Sequence, residues 1–130
     1  MLPTRIVLVL RADLPPGLAA NAAAVLGLSL GARLPGTVGA DGEDADGTTH
    51  PGITSHPVPV LTADAATIKA LHAADGVTAI GFTEVARRAR AYDAYLEDLA
   101  RAHDPEFVAV ALHGPRAVIT RLTRELPLMS

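Results

Sequence analysis

Cysteine is absent from this 130-residue chain, and tryptophan with it. The first absence excludes disulfides, iron–sulfur clusters and thiol catalysis. Aromatic residues make up 3% of the chain against 49% hydrophobic residues overall, so the core has to be aliphatic and alanine-rich, with its elements packed closely. Lysine is nearly missing as well: Lys69 is the single one, and every other Lys/Arg-type cation is arginine. A mechanism that needs an ammonium group therefore has one candidate. The balance of 11 basic against 14 acidic residues gives a net charge of −3, whereas a nucleic-acid binder carries a basic stripe. No apolar run reaches membrane-spanning length and the N-terminus has no secretory pattern, so the chain reads as cytoplasmic, with no nucleic-acid or membrane partner.

What is there is an alternation of apolar runs and helical patterns, read as one α/β domain over 1–130. "RIVLVLR" (5–11) is a continuous aliphatic run, as expected of a strand buried on both faces. "ADLPPG" breaks it, and Pro15 and Pro16 suit the entrance of a helix over 18–32 that is apolar on nearly every side except at Asn21. "PVPVL" (57–61) reads as an edge strand and "ADAATIKALHAAD" (63–75) as a helix started by Asp64, with Ile68, Leu71 and His72 turned inward. "VTAIGF" (77–82) is a third strand. One helix over 83–103 puts Val85, Ala89, Tyr92, Leu96 and Leu99 on a buried stripe. "FVAVAL" (107–112), ended by "HGP", is the fourth strand, and a helix over 115–126 repeats Val118, Leu122 and Leu126. Strand–helix alternation of this kind predicts a four-stranded, mostly parallel sheet flanked by helices.

Residues 33–56 have no periodicity and read as a long loop, of a length that in compact domains is functional or disordered. Its stretch "DGEDADGTTHPGITSH" carries four acids and two histidines. His50 and His56 are six apart across Pro51 and Gly52, which is not a helical ligand pair, and the acids lack the terminal bidentate glutamate of a calcium loop. The spacing thus assigns no metal, and the segment reads as a lid-like loop. Elsewhere, Asp13 either caps the following helix or acts as a general base, and Arg11 either pairs with an acid or holds a phosphate or carbonyl oxygen. Asn21 either satisfies nearby backbone or faces a ligand. "HGPR" (113–116) joins a strand end to a helix start, where backbone amides can hold an anion and Gly114 and Pro115 equally suit a tight turn.

"IVLVLRADLPPGLAANAAAVLG", "GEDADGTTHPGI", "PVPVLTAD", "RARAYDAYLEDLA" and "VALHGPRAVITRLTRELPL", in this order, resemble the domain of unknown function 2000 family, which is similar in fold to type-II peptidyl-tRNA hydrolase. The resemblance spans almost the whole chain and implies a small four-stranded sheet covered by helices, assembled as a homodimer. Type-II peptidyl-tRNA hydrolases carry lysines after the first strand, where this chain has "PPGLAAN", and an acid and a threonine after the third, where it offers Thr83 and Glu84 in a different motif. Within the resembling loop stand Asp46, Gly47 and His50. Ligands of open α/β sheets bind beyond the carboxyl ends of parallel strands, an edge expected to gather Arg11 and Asp13, Phe82 to Glu84, and His113, Gly114 and Arg116. The superfamily resemblance points to transfer of a carbamoyl or similar acyl group to a small-molecule hydroxyl, as in natural-product tailoring. Asp13, His50 and Asp46 are then the catalytic candidates, and Arg11, Asn21, Gly47, Thr83, His113, Gly114 and Arg116 the binding candidates. No tightly held cofactor is expected; ATP or an adenylate enters as substrate. A hydrolase of an aminoacyl or peptidyl ester and a non-catalytic ligand-binding protein are the competing expectations.

Overall fold

The computed structural model describes residues 2–130. Its centre is β1 (Thr4–Arg11), in which Ile6 to Leu10 are all buried. Alternation sends Ile6, Leu8 and Leu10 to one face of the sheet and Val7 and Val9 to the other. The remaining strands of the sheet are β4 (Val60–Ala63), β5 (Thr78–Thr83) and β6 (Phe107–Pro115), in the order β4-β1-β6-β5.

The sheet is mixed, which corrects the expectation of a mostly parallel one. β4 runs parallel to β1, but β6 runs antiparallel to both β1 and β5. The chain leaves β5 at Thr83 and re-enters β6 at Phe107, its neighbour in the ladder, so the excursion between them begins and ends at one edge of the sheet. A helical connection of this kind joins antiparallel strands, and alternation of elements does not distinguish it from a crossover. β6 also continues through His113, Gly114 and Pro115, where the sequence had suggested a break.

One face of the sheet is covered by α1 (Pro16–Gly31) through Ala19, Ala22, Leu26 and Leu30, a single stripe; Val25 and Leu28 of this apolar helix are exposed. Ala109 and Ala111 lie on the same face, so small side chains on both helix and strand permit the close approach that the composition required. The other face is covered by α2 (Ala65–His72), with Ile68 and Leu71 buried, and by α5 (Arg116–Thr123), with Ile119 buried. Asp64 caps α2 by accepting from Thr67 N at 2.8 Å. His72 is exposed rather than inward, its ring resting 4.8 Å from that of Phe107. The C-terminal Pro127–Met129 pairs along the free side of β4, through Thr62 N to Pro127 O and Met129 N to Val60 O, both 2.9 Å, and so covers that edge.

Residues 83–103 form two helices instead of one, α3 (Glu84–Arg88) and α4 (Tyr92–Arg101), separated by extended backbone at Ala89 and Ala91. Neither has a buried residue, and Tyr92 and Leu96 of the expected inward stripe are exposed. The segment 33–56 is likewise more ordered than a loop: β2 (Gly42–Glu43) and β3 (Thr49–His50) make an antiparallel hairpin, extended by a bridge between Val38 and Thr54.

Candidate functional site

The carboxyl ends of β1 and β5 meet the start of β6 in an ion cluster. Arg11 donates from Nε to Asp13 at 3.1 Å, and from Nη1 to Glu84 at 3.1 Å and Glu106 at 2.9 Å. Glu84, half-buried as the first residue of α3, also holds Arg87 at 2.9 Å. Burial works against the Arg11 charge, but Asp13, then Glu106 and Glu84, outweigh it and raise its pKa above the ordinary arginine value. For Glu84, burial is outweighed by Arg87 and then Arg11, which hold its carboxyl below the usual range. Asp13 makes no cap to α1; it closes on Arg11. A guanidinium spread over three carboxylates is a tie between strand ends rather than a cation free for a phosphate. Beside it Thr83 is buried, and its Oγ1 has no hydrogen-bond partner among the described residues.

A cleft of about 500 Å³ opens next to this cluster, between α1, β5 and the α3–α4 pair. Leu26, Ile80 and Phe82 line it with apolar surface, and Asn21 lines it as an exposed residue of α1, not as a buried amide. Arg33, Arg87 and Arg90 line it, together with Tyr92 and Tyr95, whose rings lie 5.5 Å apart. No acid or histidine is among its lining residues. Arg87 is engaged by Glu84, whereas Arg33 and Arg90 form no ion pair among the described residues. The volume is that of a small-molecule site, and arginine with aromatic walls suits an anionic group attached to a flat ring.

The expected binding and catalytic residues do not converge. Because β6 is antiparallel, His113, Gly114 and Arg116 lie at the edge opposite Arg11, where Ile6 pairs with His113 and Arg5 with Gly114. Gly114 is buried there, and a Cβ on it would stand 3.0 Å from Val77 Cγ1, so its bareness serves packing. Burial, and then the neighbouring His56, lower the pKa of His113 below the ordinary histidine value. Asp46, Gly47 and His50 belong to the hairpin and are exposed. The turn is organised by Asp44, whose Oδ1 accepts from Asp46 N at 2.9 Å and Thr48 N at 3.0 Å while Oδ2 meets His50 Nε2 at 2.8 Å. These bonds, that of His50 foremost, lower the pKa of Asp44. Gly47 supplies the positive φ of 81° that the turn requires. Among the described residues no three His, Asp or Glu side chains come together as metal ligands. Of the expected set, Asn21 alone lines the cleft. Arg33, Arg87, Arg90 and Tyr95 were not singled out as binding residues: Arg33 opens the segment read as a loop, and the charges of 83–103 read as the solvated face of an amphipathic helix; for Arg87, Arg90 and Tyr95 the density of "RRARAYDAY" was the signal.

Fold and cleft together define a small single-domain α/β protein with a cationic, aromatic-walled pocket on one face of a mixed sheet. The chain belongs to the protein family of unknown function DUF2000, whose model matches residues 4–130. The solved structure of protein of unknown function Atu0240 from Agrobacterium tumefaciens str. C58 is similar, with a TM-score of 0.89 at 20% identity over 100% of both chains, a likeness that shows the fold. A search of curated proteins returns no match. No helix is long and apolar enough to cross a membrane, among the described residues.

Proposed function

We propose that the cleft between α1, β5 and α4 takes an adenylate-type donor, an acyl or carbamoyl adenylate, with ATP held through the same adenosine and phosphate, and that the protein passes the acyl or carbamoyl group of the adenylate to a small-molecule hydroxyl. The observation that carries this reading is the pairing of acid-free arginines, Arg33 and Arg90, with the Tyr92–Tyr95 wall over an apolar floor. Arg33 and Arg90 would grip the phosphate, a tyrosine ring would stack on the base, and the Asn21 amide would orient the carbonyl. The acceptor hydroxyl attacks the donor carbonyl, its C–O bond forms, and the bond to phosphate breaks with its electrons leaving on AMP. Neither Asp13 nor His50 lines the cleft, so the departing phosphate is the base that takes the hydroxyl proton. Catalysis of this sort is positioning and charge stabilisation. The acid- and histidine-free lining equally favours a second reading, in which the ligand is bound and not turned over.

Thermal shift with AMP, ATP, carbamoyl phosphate and ATP plus carbamoyl phosphate tests the binding half. A ligand at 100 times its Kd adds about 2.7 kcal/mol and moves the Tm of a domain this size by about 5 °C or more. The shift is expected with nucleotide, larger with the donor present, and reduced at least 10-fold in apparent affinity by R90Q or Y92A. A flat response to all four overturns the reading. Binding with no AMP release from an acyl adenylate in the presence of a panel of hydroxylated acceptors selects the second reading, and cleavage of an aminoacyl-tRNA ester would select a hydrolase instead.

A further inference from the structure

At the sheet edge opposite Arg11, two more arginines lie half-buried with no counter-charge. Arg5 of β1 donates from Nη1 to Thr120 Oγ1 at 3.1 Å, and Arg116, the first residue of α5, donates from Nε to Leu2 O at 2.9 Å. Among the described residues neither forms an ion pair. Both line a recess of about 270 Å³ whose other walls are Thr4, His56, Pro57 and Pro59, with no acid among them. His56 is fixed there by a 2.9 Å bond between its Nε2 and Thr4 Oγ1, while its Nδ1 is buried without a partner among the described residues. The ring of His113 stands 6.2 Å from it, edge-on.

Partly dehydrating a guanidinium is unfavourable unless an opposite charge compensates. Arg11, half-buried at the other edge, is compensated from within the chain by three carboxylates. The recess does the reverse: it brings two cations, a hydroxyl and an imidazole to one small concavity and supplies nothing negative. A carboxylate would leave one of the two charges over, whereas a phosphate dianion balances both and offers enough oxygens for two guanidinium forks. The rigid prolines and the small volume leave room for a phosphate and a short substituent.

We propose that the recess formed by Thr4, Arg5, His56 and Arg116 is a second ligand site, for a phosphate group, distinct from the α1–β5–α4 cleft. Its occupant is inorganic phosphate or a small phosphate monoester.

The test is an NMR titration of the full chain with inorganic phosphate, phenyl phosphate and acetate at fixed ionic strength, read on the assigned imidazole resonances of His56 and His113. Saturable shifts are expected with phosphate, at an affinity at least 10-fold above that for acetate. R5K and R116K retain the charge and a donor for Thr120 or Leu2 O while losing the fork, and each should weaken phosphate at least 10-fold with the phosphate-free Tm held within a few degrees. R90Q, in the other cleft, should leave the titration unchanged, so the two sites stand or fall separately. Phenyl phosphate binding as well as phosphate identifies a monoester site, and its exclusion identifies inorganic phosphate; either supports the proposal. No saturable shift, acetate acting as strongly as phosphate, or folded R5K and R116K that titrate like the unaltered chain would overturn it.

Discussion

Glu84 is the residue on which the carboxyl edge of the sheet depends, because it accepts from Arg11 and Arg87 and approaches Arg88 at 3.8 Å with a side chain only 14% exposed. Its replacement in E84Q should cost about 1–2 kcal/mol, between the value of an exposed ion pair and that of a buried one, measured by urea unfolding. The pH dependence has a definite sign. A carboxyl whose folded pKa lies below its unfolded value contributes stability that is fully present above about pH 4.3 and is lost as pH falls through the folded value. The acid limb of the Tm profile should therefore be shallower in E84Q. Thr83 gives the opposite expectation. Its hydroxyl is buried without a partner among the described residues, so T83V should leave the Tm unchanged or raise it, by up to about 1 kcal/mol in stability. A drop of several degrees would mean that the hydroxyl has a partner in solution. Asn21 was visible in the sequence as a polar exception within an apolar helix, and Arg11 as the charge that closes an apolar strand. Which of them faces a cavity, and which is consumed by neighbouring acids, depends on residues as distant in sequence as Glu84 and Glu106.

Among the elements, the strands and α2 were legible because aliphatic runs and an Asp cap are local signals. The division of 83–103 was not. A single helix of that length would end about 30 Å from its start, yet Glu84 N donates to Glu106 O at 2.9 Å, so the segment must fold back on itself. That requirement comes from the pairing of β5 with β6 and outweighs a helical pattern uninterrupted by proline or glycine. The hairpin of 38–55 was hidden for a different reason: its strands have no apolar face to show, since they are exposed nearly throughout. It is held by Asp44 and by the close approach of Gly39 and Gly52, where a Cβ on Gly52 would stand 1.9 Å from Gly39 O. G52A should therefore open the base of the hairpin while leaving the sheet intact. Limited proteolysis within 33–56 should accelerate several-fold with a Tm change of no more than a few degrees; a large fall in Tm would show that the hairpin is part of the cooperative core.

Across the whole molecule, the antiparallel course of β6 separates two chemical edges, an acidic-clustered one around Arg11 and a cationic one around Arg5, His56, His113 and Arg116. His113 makes the second edge sensitive to pH. Burial and the nearby His56 lower its folded pKa, so the unfolded chain binds the extra proton first, and stability is full above about pH 6.5 and declines as pH falls toward the folded value. In chloride buffer without phosphate, Tm should fall as pH drops below about 6.5, and H113Q should flatten that decline. An unchanged slope would assign it to another group.

The sequence by itself determined the strand cores, the Asp64 cap, the alanine-rich contact of helix and sheet, and the α/β class, because each rests on hydrophobic periodicity or on bonds within a few residues. The direction of β6, the folding back of 84–106, the acid-free company of Arg5 and Arg116 and the cleft walled by Arg90 and Tyr92 were decided by the tertiary structure alone. Each depends on which distant strand ends are brought to the same edge, and a periodicity of 2 or 3.6 residues carries no information about that.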